Sequence, residues 1–340
     1  MLPMMKLRLG LCGLLLMTAA QAADLLTTGE SAALLRKMGS AARSLNYSGV
    51  YLYQHGPTME AFRVLHLFDA GGEQERREAL DGVAREFVRN NDQIVCYVPD
   101  HKPFALDRKV ANKFFPGLIP DQASDVLANY SFKRGEMERV AGYDCQSIML
   151  DPRDKLRHPH RLCVEPNSGL MLKSVTFSPE EHEVVEQFSF SEIEIGGQID
   201  KRLLKPTLAS KAATTDSAQS NHAAPAVPAL AQGATTAPVP TTLPPPPFVA
   251  VNLPSGFRMV KEMQTMMPGR NGPVQQYLYS DGLASVSVFL ELASSNPISL
   301  PLKQGRFSFY SRQVDGWRIT AVGEVPPRTV QLFVMGFEPK

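Results

Sequence analysis

A segment rich in Ala, Thr, Ser and Pro divides the 340-residue chain into a longer and a shorter part. It runs from about Pro206 to Pro247 and closes with the proline run Pro244–Pro247. Such a composition has too little apolar side-chain mass to offset the entropy lost on ordering, so it predicts a linker that is partly flexible and partly polyproline-like. We therefore expect two domains, residues 23–205 and 248–340, joined by a linker over residues 206–247.

The first 22 residues have the pattern of a secretory signal peptide. Lys6 and Arg8 precede an apolar run from Leu9 to Met17, and Ala20-Gln21-Ala22 is a small-x-small cleavage site. A lipoprotein signal at Cys12 is the alternative, but bulky Leu11 precedes this cysteine where a small residue is needed. The run is also shorter than the roughly 20 residues that span a bilayer. The pattern predicts an exported protein, which is soluble after cleavage.

Composition excludes some classes of function. Apolar residues make up 44% of the chain and charged residues 20%, as in ordinary globular proteins. The chain has 35 basic and 34 acidic residues, and removal of Lys6 and Arg8 leaves 33 against 34. Because a nucleic-acid-binding protein is usually clearly basic, we expect no nucleic-acid partner.

Three cysteines remain after the signal peptide: Cys96, Cys145 and Cys163. Cys145 and Cys163 lie on two expected strands around a polar turn at Asp151–Asp154, so they can face each other across a hairpin. An oxidising compartment then favours a Cys145–Cys163 disulfide, with Cys96 left free in an apolar strand. Three buried, reduced thiols are the alternative.

The longer part is predicted to be one helix followed by an antiparallel meander. Thr27 and Glu30 form a capping-box pattern, after which apolar residues recur at helical spacing up to Leu45. Strand-like segments alternate with turn residues up to Ile195, and a short helix is expected at Asp121–Ala128. Several strands are apolar on both faces, which predicts an α+β fold whose curved sheet is covered by helix and leaves an apolar cleft.

The shorter part is predicted to be a small β-rich or α+β domain. Strand patterns cover Val274–Tyr279, Ala284–Leu292, Gly305–Gln313 and Trp317–Glu324. Thr329–Gly336 also resembles a strand, although a helix at this end is the alternative.

No motif for catalysis or metal binding is convincing, and no cofactor is expected. His158 and His160 lack further ligands nearby and are expected on an exposed strand or turn. The acidic residues between Glu180 and Glu186 lack the spacing of a calcium loop and are expected on a solvated face. The protein is therefore predicted to be a binding protein rather than an enzyme.

A group of aromatic and apolar residues in the longer part is the candidate lining of the cleft. An ordinary hydrophobic core is the alternative for each of them. These candidates are Tyr51, Tyr53, Phe62, Val64, Phe68, Phe114, Phe115, Leu118 and Ile119.

The chain resembles the RseB/MucB family, periplasmic negative regulators of the envelope-stress sigma factor. The most specific match is Tyr279–Glu291, with the sequence YSDGLASVSVFLE, followed by Val322–Pro327. Tyr47–Tyr51, Val140–Tyr143 and Glu165–Leu170 also fit. Two features depart from the family pattern: Cys163 replaces a usual aromatic residue, and the linker is unusually long and rich in proline.

The resemblance implies a large domain like the lipoprotein carriers LolA and LolB, an unclosed antiparallel β-barrel wrapped around helices. It implies binding to the periplasmic domain of a membrane-spanning anti-sigma factor, protection of that domain from the site-1 protease, and release by a lipid or lipopolysaccharide. The candidate partner-binding residues are Tyr279, Asp281, Gly282, Phe289 and Glu291. A turn feeding a core strand is the alternative interpretation of the first three.

Two other functions are compatible with the sequence. A periplasmic lipoprotein or lipid carrier would suit the large domain alone, but it has no need of the smaller domain. An envelope hydrolase lacks any supporting motif. The sequence also leaves the oligomeric state open, a homo-oligomer included.

Overall fold

The computed structural model describes residues 24–106, 114–119, 124–180, 182–208, 245–266, 273–293, 303–304 and 307–340. The signal peptide expected at residues 1–22 and the linker residues 209–244 lie outside the described residues. None of the described helices is long and apolar enough to cross a membrane.

Helix α1 spans Thr28–Ser44 and begins with the predicted capping box. The Thr27 side chain accepts a hydrogen bond from the Glu30 amide, and the Glu30 carboxylate accepts one from the Thr27 amide at 2.8 Å. The apolar stripe of the helix, including Leu35, Met38 and Ala41, is buried in the main core. Helical periodicity therefore predicted both the element and the face that it buries.

The large domain is built on a twelve-stranded antiparallel sheet. In chain order its strands are β1 (Asp24–Leu25), β2 (Tyr47–His55), β3 (Thr58–Asp69), β4 (Gly72–Ala79), β5 (Glu86–Asn90), β6 (Gln93–Tyr97), β7 (Phe104–Ala105), β8 (Tyr130–Val140), β9 (Tyr143–Pro152), β10 (His160–Val164), β11 (Met171–Phe177) and β12 (Val184–Ile195). The spatial order is β1-β8-β9-β10-β11-β12-β2-β3-β4-β5-β6-β7, and the two end strands do not pair, so the sheet is not closed.

One face of this sheet packs against α1, and we call it the inner face. Tyr51 and Phe62 are paired across β2 and β3, and they share a core cluster with Leu35 and Met38 of the helix. Side chains of a strand alternate between faces, so the apolar residues at every second position of β2, β3 and β12 converge on this interior. A short helix α2, Ser124–Asn129, lies before β8, close to the predicted Asp121–Ala128, of which residues 121–123 are not described.

The disulfide joins Cys145 and Cys163 on the neighbouring strands β9 and β10, as predicted, and Cys96 is free and buried. The cysteines do not lie directly opposite each other, because Cys163 is the Cα partner of Ser147. The connection between the strands runs from 153 to 159, so it lies further along the chain than the turn predicted at Asp151–Asp154, whose first two residues belong to β9.

The smaller domain has a six-stranded antiparallel sheet with the order β14-β15-β16-β19-β18-β17 and a two-stranded sheet of β13 with β20. Its elements are β13 (Phe248–Ala250), β14 (Arg258–Met266), β15 (Pro273–Ser280), β16 (Ser285–Leu292), β17 (Lys303–Gln304), β18 (Phe307–Val314), β19 (Trp317–Gly323), helix α3 (Pro327–Met335) and β20 (Phe337–Pro339). Strand β14 was not predicted from the sequence.

The strand prediction for Thr329–Gly336 is wrong, because this segment belongs to helix α3. Its β-branched and aromatic residues suggested a strand. However, Pro327 sits at the helix start, where a missing amide hydrogen costs nothing. Val330, Phe333 and Val334 then fall on one helical face and are fully buried against the sheet.

Candidate functional site

Four aromatic rings meet on the inner face of the large sheet. Phe115 lies with its ring centroid 5.0 Å from Phe190, 5.3 Å from Tyr51 and 5.4 Å from Phe188. These separations are typical of favourable aromatic pairs. Phe115 comes from the connection between β7 and α2, so the segment Phe114–Ile119 reaches into the interior of the sheet.

We call residues 114–119 the plug segment, because it fills the interior where the sequence predicted a cleft. Phe115 is 1% exposed and Ile119 3% exposed, and both belong to the same core cluster as α1. The predicted residues are therefore brought together, but as packed interior rather than as walls of an open cleft. The physical reason is that the plug segment supplies its own apolar side chains to cover the inner face.

Two of the predicted cleft residues lie elsewhere. Phe68 is 46% exposed and outside the core clusters. Phe114 turns to a small neighbouring cluster with Ile94 and Cys96, and its ring centroid is 5.3 Å from that of Phe87. Tyr53 and Leu118 are partly buried against the main core, whereas Val64 is fully buried in it.

A buried ion pair holds the plug segment in place. Arg77 on β4 donates two hydrogen bonds to Glu75, of 2.6 and 2.8 Å, and one of 3.1 Å to the Tyr51 hydroxyl. Its guanidinium also donates to the main-chain carbonyl of Phe115 and lies 5.1 Å from the ring of Phe114. The backbone of the plug segment is thus tied to a side chain that is itself 2% exposed.

The surroundings of the Glu75–Arg77 pair keep the Glu75 carboxyl ionised and the Tyr51 hydroxyl protonated. Burial raises the pKa of the Glu75 carboxyl, but the neighbouring cationic side chains, Arg77 foremost, together outweigh burial and bring that pKa down to about 2. Burial also raises the pKa of Tyr51, so the hydroxyl remains protonated at neutral pH. Glu75 and Arg77 were missed from the sequence. The available signal was the run of charged residues inside β4, GEQERREA, where a central strand is normally apolar on at least one face.

The two domains meet at a second buried ion pair. Arg157, in the connection between β9 and β10, donates from Nε to Asp281 at 2.6 Å, and the two side chains are 1% and 0% exposed. Its other nitrogens donate to Asp154 and to the Ser255 carbonyl, the latter at 2.8 Å. The guanidinium also lies 4.6 Å from the ring of Phe257. Asp281, Ser255 and Phe257 belong to the smaller domain, whereas Asp154 belongs to the large one. Arg157 is therefore the centre of the interface.

The turn that carries Asp281 is shaped for this contact. The other carboxylate oxygen of Asp281 accepts from the amides of Leu283 and Ala284, at 2.9 and 2.7 Å. Gly282 has a φ of +98°, and a Cβ added there would lie 2.9 Å from the Asp125 Cβ on α2. Asp125 also forms an ion pair with Arg258 across the interface. A side chain at position 282 would therefore separate the two domains.

The candidate partner-binding residues occupy three different environments. Asp281 and Gly282 face the large domain. Tyr279 is in the core of the smaller domain, with its ring centroid 5.2 Å from that of Phe333. Phe289 and Glu291 alternate with the core residues of β16 and lie on the opposite face of the sheet, where Glu291 pairs with Arg318 at 3.6 Å. They do not form one surface, and the role of Arg157 was missed because its neighbours come from distant parts of the chain.

Two polar groups differ from the expectation of an exposed surface. His158 is 3% exposed, and its Nδ1 lies 2.9 Å from the carbonyl oxygen of Phe177. Glu186 is 2% exposed, whereas Glu180 and Glu183 are exposed. Both buried groups line a small cavity to which Leu283 and Ala284 of the smaller domain also contribute. Within the described part of the chain, no group of three or more His, Cys, Asp or Glu side chains is placed to hold a metal ion.

Comparison with known proteins matches both parts of the chain to family models. The model of the MucB/RseB N-terminal domain matches residues 30–208. The model of the MucB/RseB C-terminal domain matches residues 244–338. Together they cover strands β2 to β12 of the large sheet, the whole six-stranded sheet and both sides of the Arg157–Asp281 pair.

Similar proteins align with nearly the whole chain. The Sigma-E factor regulatory protein RseB of Haemophilus influenzae is 24% identical over 328 residues, 94% of each chain. The Sigma factor AlgU regulatory protein MucB of Pseudomonas aeruginosa is 25% identical over 336 residues, 96% of each chain. A solved MucA/MucB complex from Pseudomonas aeruginosa contains a chain with a similar fold, with a TM-score of 0.68 and 21% identity, covering 91% of this chain and 99% of that one.

Proposed function

The chain belongs to the MucB/RseB family, and we propose that it is a periplasmic protein that binds the periplasmic region of a membrane-spanning anti-sigma factor. Bound there, it protects the anti-sigma factor from the site-1 protease and so restrains the envelope-stress response. The observation that carries this proposal is the match of both family models. A lipid carrier built like the large domain alone has no need of the second domain. The names of the relatives, sigma factor regulatory proteins, support a regulatory role rather than an enzymatic one.

The proposed organisation is a signal peptide at 1–22, a large domain at 23–205, a linker at 206–247 and a small domain at 248–340. The two family matches support it, because the first covers residues 30–208 and the second residues 244–338, which leaves 209–243 between them. Export places the protein in the periplasm, where a Cys145–Cys163 disulfide persists. The solved MucA/MucB complex supports an anti-sigma factor as the partner.

A binding and protection experiment tests this function. The chain from residue 23 onwards is mixed with the purified periplasmic segment of the organism's anti-sigma factor, and the complex is measured by size-exclusion chromatography. The site-1 protease is then added, and cleavage of the segment is followed with and without the chain. We expect a stable complex and slower cleavage. Absence of both, together with transfer of acylated lipoproteins from membrane to acceptor, would instead establish the carrier.

We further propose that the large domain is a LolA/LolB-type unclosed barrel whose interior accepts the acyl chain of a lipid signal, and that this releases the anti-sigma factor. The aromatic cluster of Tyr51, Phe115, Phe188 and Phe190 supports this, because it is an apolar interior inside a sheet that does not close. An interior lined by such rings suits hydrocarbon, and the charged groups beside it, Arg77 and Glu75, are already paired with each other.

Tyr53 offers a test that leaves the core intact. It is partly buried and stacks on Phe188 with a centroid separation of 4.6 Å, so a lysine there can reach water with its ammonium group. Tyr53→Lys should retain binding to the anti-sigma segment and lose its release by lipopolysaccharide. Tyr97→Lys, at a half-buried tyrosine of β6 outside the core clusters, is the matched control. Equal release from both variants would place the lipid elsewhere.

A further inference from the structure

The plug segment contacts two parts of the molecule. One is the aromatic interior, which is the proposed lipid site, and the other is the interface with the smaller domain. The second residue of the plug segment, Phe115, packs into the aromatic interior, where rings of β2 and β12 surround it. Arg77 fixes the carbonyl of Phe115 to the sheet. Any hydrocarbon chain that enters this interior must therefore take the volume that the Phe115 side chain now fills.

The other end of the plug segment lies at the domain interface. Leu118 and Ile119 line a small cavity together with Leu150 and Leu162 of the large sheet and with Leu283 and Ala284 of the smaller domain. Leu283 packs against the core cluster of the large domain, although it belongs to the smaller one. It is carried by the turn that Asp281 shapes, and Arg157 holds that turn in place.

We infer that the plug segment occupies the acyl-chain site and that Leu283 of the smaller domain senses whether it is in place. When hydrocarbon displaces Phe115, Leu118 and Ile119 move with it, because only two residues separate Phe115 from Leu118. The cavity walls that Leu283 packs against are then lost, and docking of the smaller domain is weakened. This inference rests on the proposed lipid ligand and adds the element that couples the ligand to the domain arrangement.

The coupling is reciprocal by thermodynamic necessity. Docking of the smaller domain stabilises the plug segment and so weakens lipid binding. The factor by which docking weakens lipid binding equals the factor by which bound lipid weakens docking. A substitution that removes the Leu283 contact while leaving the lipid site untouched should therefore strengthen lipid binding. Couplings between sites in one protein are typically about 5- to 150-fold, so a change of about 5-fold or more in affinity is expected.

Leu283→Ala in the full chain tests the inference, with dansylated undecanoic acid as the fluorescent acyl probe. Leu292→Ala is the matched control, because Leu292 is 55% exposed and is not part of the core clusters. In parallel, hydrogen exchange of residues 154–158 and 281–284 is measured in the unsubstituted chain with and without the probe. We expect tighter probe binding by Leu283→Ala alone, and faster exchange at both interface segments when the probe is bound.

Each other result has a definite meaning. Equal probe affinity in all three proteins, with unchanged exchange at the interface, overturns the coupling and leaves the lipid site standing. Weaker binding by Leu283→Ala also overturns it, because Leu283 would then be a wall of the lipid site itself. Failure of all three proteins to bind the probe refutes the proposed lipid ligand and the inference together.

Discussion

Replacing Asp281 with asparagine should separate the two domains without unfolding either. The asparagine side chain keeps an oxygen for the amides of Leu283 and Ala284, so the turn survives. Its amide nitrogen, however, faces the Nε–H of Arg157 in a space that excludes water. Breaking a buried ion pair costs about 3–5 kcal/mol. The lower figure applies here, because Arg157 retains Asp154 and the Ser255 carbonyl.

A cost of about 3 kcal/mol weakens docking by a factor of about 150. The chain has one tryptophan, Trp317, which is 7% exposed in the core of the smaller domain, so its fluorescence reports unfolding of that domain. Circular dichroism reports mainly the larger sheet. With a urea slope of about 1.5 kcal/mol per M for a domain of this size, the Trp317 transition should fall by about 2 M. We expect the two transitions to coincide in the unsubstituted chain and to separate in Asp281→Asn.

Two further variants test whether the Arg157–Asp281 pair holds the two domains together. Asp315→Asn, at an exposed turn of the same domain, should leave the transitions coincident. Adding Arg157→Met to Asp281→Asn should recover part of the loss, because it removes the charge that is left buried without its partner. Coincident transitions in Asp281→Asn, or a double variant that is less stable than the single one, would refute the assignment of Arg157–Asp281 as the centre of the interface.

Three other predictions follow from the same contacts. The pKa of Glu75 is about 2 in the folded chain against 4.5 in the unfolded chain. Its ionised form therefore stabilises the large domain by about 3 kcal/mol above pH 4.5, and this contribution is lost as the pH falls from 4.5 towards 2. Urea titrations at several pH values should show this loss of stability, and Glu75→Gln should abolish it. The Cys145–Cys163 bond closes a sequence separation of 18, so its double Ala variant should be about 3 kcal/mol less stable in urea, and an equal midpoint would contradict this. Gly282→Ala should separate the unfolding transitions as Asp281→Asn does, whereas Gly316→Ala, with a φ of +78° and no neighbour within 4 Å, should not.

The sequence predicted those elements whose signals are local. The capping box and apolar stripe of α1 and the pairing of Cys145 with Cys163 depend on residues less than twenty positions apart. Helix α3 was misassigned, because Val330, Phe333 and Val334 favour a strand by propensity. Packing of these three side chains on the six-stranded sheet overrides that preference.

The burial of these charges could not be predicted, because it depends on contacts between distant parts of the chain. Arg157 and Asp281 are 124 residues apart, and Arg77 reaches a carbonyl 38 residues away. A charged residue is expected at the surface unless its partner is known. Only the unusual charge density of β4 indicated that some of its charges must be paired in the interior. The candidate cleft residues, by contrast, were chosen for their apolar character alone, and nothing in that character shows that Phe115 would pack into the interior.

The position of Asp281 changes how an anti-sigma factor and a lipid would exclude each other. A carboxylate with 0% exposure cannot be touched by a partner while the domains are docked. If the partner requires the docked arrangement, it selects that arrangement without contacting the pair, and its binding stabilises docking by its differential affinity for the two states. A lipid that displaces the plug segment acts on the same equilibrium from the interior of the sheet. The two ligands then compete through the domain arrangement, and no shared surface between them is required.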